Sequence, residues 1–155
     1  MSSLRTMTAG FSLLEVLIAL LVLSVGLLGL AALQANTLQF NQSAYLRSQA
    51  TSLAYDMADR MRANREAALN GDYNAGLANP IPDCDDVAAG TVVERDLASW
   101  RIALACALPV GNGSVAVTVP GGVVTITVQW DETRRGELLD AAEGTTEVFV
   151  MTTGL

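Results

Sequence analysis

The feature that most constrains this chain is an apolar run, FSLLEVLIALLVLSVGLLGLAAL, from Phe11 to Leu33, preceded by the short polar stretch MSSLRTMTAG with Arg5 as its basic side chain. As a helix the run is about 34 Å long, enough to cross a hydrocarbon core of about 30 Å with some tilt. One charge, Glu15, interrupts it. A carboxylate in a membrane-spanning stretch costs on the order of 3 kcal/mol near the bilayer centre and less near the end, where Glu15 falls. Such a residue needs a partner. A cut between Gly10 and Phe11 would create one, because the new α-amine of Phe11 stands at i, i+4 from Glu15. That amine would be neutralised by Glu15 of its own chain or by Glu15 of a neighbour whose helix stacks with an axial offset, and the second choice drives assembly. The plainer alternative is a Glu that snorkels to the headgroups. A secretory signal peptide is a further competitor, since Gly29 and Ala31 give a small-x-small pattern, but the run exceeds the usual apolar region of about 7 to 15 residues.

The residues GFSLLEVLIALLVLS, from Gly10 to Ser24, resemble the class III signal of type IV prepilins and pseudopilins. That resemblance implies cleavage by a prepilin peptidase after Gly10, N-methylation of the new terminus Phe11, and a role for Glu15 in guiding assembly. Two departures stand out: Ala9 replaces the Lys or Arg often found before the glycine, and the helix lacks the proline that major pilins carry. Gly26 and Gly29 would weaken the helix locally instead, each by about 1 kcal/mol relative to Ala, or would let helices pack closely.

Beyond Leu33 the sequence turns polar but contains no Pro or Gly until Gly71, so the helix is expected to continue to about Leu69. Leu46, Ala50, Leu53, Met57 and Met61 form an apolar stripe at spacings of three and four, suited to cradle a head. Asn70 and Gly71 supply the stop. Residues 71–90 are rich in Gly, Pro, Asn and Asp and read as an extended loop. From Glu94 to Leu108 a helix is predicted, with Leu97, Arg101, Leu104 and Leu108 on one side and Trp100 beside them.

Three strands follow, Ser114 to Val119, Val123 to Trp130 and Thr145 to Thr152, with a tight turn at Pro120, Gly121 and Gly122. Val124, Ile126, Val128 and Trp130 alternate with Thr125, Thr127 and Gln129, so one sheet face should pack on the long helix. Asp131 to Gly144 reads as an exposed loop or short helix. The expected fold is α+β and type IV pilin-like: a long amino-terminal helix, transmembrane and then amphipathic, packed on a small antiparallel sheet. The expected divisions are a leader at 1–10, a membrane helix at 11–33, an amphipathic continuation at 34–69 and a periplasmic head at 70–155.

Cys84 and Cys106 both follow the hydrophobic segment, consistent with an oxidising compartment. A bond between them would close a loop of about 22 residues and contribute roughly 3 kcal/mol on the chain-entropy model. The alternative is two reduced core thiols.

With 9 basic against 16 acidic residues and a net charge of -7, the chain is unsuited to electrostatic nucleic-acid binding. Arg60, Arg62 and Arg65 are interleaved with Asp56, Asp59 and Glu66, the pattern of a solvated or salt-bridged helix face. No His is present, which removes the usual base of a hydrolytic triad and a zinc ligand. Asp83, Asp85 and Asp86 lack the glycine and distal glutamate of a calcium loop, and Gly111 and Gly113 lack a third glycine for phosphate binding. Neither an enzyme nor a cofactor or metal is expected.

The segments LAYDMADRMRAN (Leu53 to Asn64), DLASWRIALACALP (Asp96 to Pro109) and Ile126 to Trp130 resemble minor pilins of the type IV pilus modification protein (PilV) family. That likeness implies a subunit inserted in the inner membrane, its head periplasmic, which joins a priming or tip complex of a pilus used in adhesion and twitching motility. Implied partners are other minor and major pilins through the helix, the prepilin peptidase, the inner-membrane assembly platform and the membrane itself. Two other readings are a minor pseudopilin of type II secretion and an unprocessed single-pass protein presenting a periplasmic binding domain.

Overall fold

In a computed structural model of the chain, residues 12–119, 122–132 and 146–155 are described. Gly10 and Phe11, Pro120 and Gly121 of the predicted turn, and most of the predicted charged link lie outside them. The chain divides into two units, Met1–Phe40 and Asn41–Leu155.

The described part of the first unit is helical. Helix α1 (Leu13–Ala63) begins here, and the Leu14 N–H donates to Ser12 Oγ at 3.3 Å, satisfying one of the amides that a helix start leaves free. Leu and Ala lose little rotamer freedom in a helix, which favours the conformation before any packing is counted. The hydroxyl of Ser24 donates to the Leu20 and Leu21 carbonyls at 2.6 and 3.0 Å, so it presents no unsatisfied donor in the apolar run. Every described residue through Gln42 is exposed.

The second unit is the head. Here α1 buries Leu46, Ala50, Ala54, Met57, Ala58 and Met61. Leu53 of the predicted stripe is half-buried, while Ala54 and Ala58 line the seam, where a methyl group lets other elements approach the helix closely. The helix was expected to run unbroken to Leu69. It instead ends at Ala63, and a short α2 (Arg65–Asn70) follows. The break falls at Asn64, whose backbone sits at φ -117 and ψ 55 and whose amide donates to Tyr73 Oη at 3.2 Å. No Pro or Gly stands at this break, and the i, i+4 backbone bonds from Asn64 to Arg60 and from Ala68 to Asn64 run across it at 3.1 Å each. Gly71 stops α2 in the left-handed region, φ 84, with its N–H on the Ala68 carbonyl at 3.1 Å.

Helix α3 (Val92–Ala107) opens with a reciprocal capping box between Thr91 and Glu94. Its core-facing residues are Trp100 and Leu104, joined by Leu108 at the C-cap. Strands β1 (Asn112–Thr118), β2 (Val123–Asp131) and β3 (Thr146–Gly154) form an antiparallel sheet in the order β1-β2-β3. Ile126 is flanked by Val115 on one side and Met151 on the other. On β2, Val124, Ile126, Val128 and Trp130 are buried while Thr125, Thr127 and Gln129 are not. Each of the four buried side chains contributes about 1.5–3 kcal/mol by leaving water, which sets the register of the sheet. A long helix with a small three-stranded antiparallel sheet is the type IV pilin arrangement, an α+β fold.

Candidate assembly helix and head surface

Glu15 lies in the first turn of α1, where the amino-terminal end of the helix dipole favours a carboxylate. The neighbouring Leu13, Leu14, Val16 and Leu17 are exposed, as are the large apolar side chains onward to Leu33. This helix is long and apolar enough to cross a membrane. Among the described residues a Cβ placed on Gly26 or Gly29 would meet nothing within 4 Å, so their smallness serves no contact there.

The head carries a polar cluster where α1, α3 and the loop after α2 meet. Arg60 Nε donates to Asp56 Oδ2 at 2.9 Å, and its Nη1 reaches Ser99 Oγ at 2.8 Å and Asp96 Oδ1 at 3.4 Å. The Tyr73 O–H donates to Asp96 Oδ2 at 2.7 Å. Burial, then the hydrogen bond to Asp96, push the Tyr73 phenol above its ordinary value of 10.0. At the start of α3, the backbone N–H and then the hydroxyl of Thr91 hold Glu94 below its ordinary range. The charge pattern around Arg60 is thus partly a salt-bridged face, with Arg62 on Asp59 at 2.7 Å, and partly a junction between elements. The sequence signal for that junction was faint: Asp96 and Ser99 share one side of α3 at i, i+3.

Cys84 is bonded to Cys106, with their Cα atoms 5.3 Å apart. The bond ties the loop following Tyr73 to the last turn of α3. Asp83, Asp85 and Asp86 are exposed, and Asp86 Oδ2 accepts from the Asp83 N–H at 2.9 Å. No cluster of three or more potential metal-ligating side chains occurs among the described residues. Between the loop and α3 runs an open groove whose walls include Pro80, Pro82 and Val87 on one side and Ala98, Arg101 and Ile102 on the other.

Two family models match adjoining parts of the chain. Residues 5–31 match the prokaryotic N-terminal methylation motif, and residues 32–85 match the Tt1218-like family, described as type IV pilin Tt1218. No curated protein and no solved structure matches the chain. The methylation motif spans Gly10, Phe11 and Glu15, and the pilin match runs from the end of the apolar run through Cys84. With these matches and the helix-plus-sheet fold, the chain is type IV pilin-like.

Proposed function

We propose that the chain is a minor pilin, of the kind found in the PilV family, that helps prime or cap a type IV pilus. In this reading a prepilin peptidase cuts between Gly10 and Phe11, Phe11 is N-methylated, and α1 holds the subunit in the inner membrane with its head in the periplasm. The subunit then passes to other pilins through the same helix at the assembly platform. The observation that carries the reading is Glu15 in the first turn of an exposed apolar helix, inside the stretch that matches the methylation motif. A carboxylate there disfavours the bilayer, and a neighbouring subunit's terminal amine would relieve that cost. The bonded cysteine pair fits an oxidising compartment beyond the membrane.

Glu15→Ala tests this reading in cells that make the pili. The variant should insert in the membrane as well as wild type or better, yet recover at a reduced level in sheared filaments and in co-purification with other pilins. Wild-type incorporation of the variant would remove charge pairing as the driving interaction. Loss of piliation on deletion, with secretion of folded exoproteins intact, would assign the pilus and not the type II secretion machine.

A further inference from the structure

Residues 79–90 lie beside α3 without the ties that hold the rest of the head. At one end Ala78 is fixed by the Asn112 side-chain amide, which accepts from the Ala78 N–H and donates to its carbonyl, each at 3.0 Å. At the other end Thr91 is fixed by its capping box with Glu94. Between these anchors no residue is buried. Among the described residues the hydrogen bonds of this segment are local, from the Asp83 N–H to Asp86 Oδ2 at 2.9 Å and from the Asp86 N–H to the Asp83 carbonyl at 3.1 Å. Val87 is 87% exposed. A segment in which Ile81, Pro82 and Ala88 are only half-buried, and which among the described residues makes no long-range hydrogen bond, has little to offset the entropy of ordering it. What connects its interior to the head is the bond from Cys84 to Cys106, and both cysteines are exposed.

We propose that this bond is a redox clasp: a dithiol reductant that reaches it releases residues 79–90 from α3 while the core stays folded. One thiolate of the dithiol attacks a cysteine sulfur, forming a mixed disulfide and expelling the other cysteine as a thiolate. The second thiol of the reagent then displaces the remaining cysteine, leaving the dithiol oxidised to a disulfide and Cys84 and Cys106 both reduced. Neither the buried core residues nor the partly buried ones packed against them fall within 79–90, so release leaves that cluster whole. The anchors at Ala78 and Thr91 persist, as does the hydrogen bond from Arg101 to the Gly76 carbonyl. What changes is the surface: the wall formed by Pro80, Pro82 and Val87 leaves, and the side of α3 bearing Ala98, Arg101 and Ile102 opens to solvent. Reduction also returns loop-closure entropy to the unfolded chain, so the head becomes less stable without unfolding.

The test uses the full chain in detergent micelles and a protease that cuts before aspartate, which has sites at Asp83, Asp85 and Asp86. Adding dithiothreitol should speed cleavage at those sites on the order of tenfold, since proteolysis follows the population of the open segment. Tryptophan emission from buried Trp100 and Trp130 should stay in place. A Cys84→Ser/Cys106→Ser double variant should show the fast rate without reductant. An unchanged rate after thiol titration confirms reduction would overturn the proposal. So would a shift of the tryptophan emission to that of the denatured chain in either sample, because the bond would then hold the core and not the loop.

Discussion

The indole Nε1 of Trp100 donates to the backbone carbonyl of Leu53 at 2.9 Å. This contact joins α3 to α1 across the head, and the ring itself is fully buried against the same core that receives β2. An amphipathic helix face and a sheet face could meet in several ways through apolar contact alone. A directional hydrogen bond from a large buried ring fixes one of them.

Removing the ring should therefore be costly. Trp100→Ala is expected to destabilise the head by about 3–5 kcal/mol, from lost transfer energy and the cavity left behind. Trp100→Phe should cost less, because most of the packing survives. Urea titration of the full chain in micelles, followed by the remaining Trp130, gives both values. Equal losses for the two variants would mean that packing is not what Trp100 supplies.

Gly113 on β1 is the complement of that ring. A Cβ at this position would come within 2.7 Å of Leu104 Cδ1 and closer still to the Trp100 ring. Since both neighbours are buried, Gly113→Ala should destabilise by about 1–3 kcal/mol through overpacking. Among the described residues no atom lies within 4 Å of such a Cβ on Gly154, so Gly154→Ala should be close to neutral in the same titration.

The Tyr73–Asp96 pair makes a prediction about pH. The phenol's pKa is raised in the folded head above 10.0, so its contribution is fully present below the unfolded value. As pH rises past that value the unfolded chain releases the proton first, and the contribution is lost by the time pH exceeds the folded pKa. Tyr73→Phe should cost about 1–2 kcal/mol near neutrality through the lost hydrogen bond, and the gap between variant and wild type should narrow above pH ~10. Unfolding midpoints at pH ~8 and pH ~11 measure it. A gap that widens at high pH would contradict the assigned direction.

Much of this fold was legible because its signals are local and repetitive. The apolar run needs only length and composition, and β2 shows its buried face by strict alternation from Val124 to Trp130. The stop at Gly71 rests on a backbone conformation that glycine adopts readily. The break at Asn64 was not legible, since no Pro or Gly marks it and the hydrogen bond its side chain makes to Tyr73 depends on how the chain turns back after α2. Arg60 was readable as half of an i, i+4 pair with Asp56, but its reach to Asp96 and Ser99 depends on how α3 docks. The alanines at 54 and 58 were missed because small residues mark close packing only once the partner surface is known. For Glu15 the chemistry was legible from one charge in an apolar run, while its proposed partner belongs to a second subunit.

The central claim is that the chain acts as a processed pilin subunit. Intact mass and amino-terminal sequencing of the protein isolated from membranes of cells with an active prepilin peptidase test it most directly. The account predicts a chain that begins at Phe11 with one added methyl group on its amine. A mature chain that retains residues 1–10 would contradict it, since the amine proposed to neutralise Glu15 would never form.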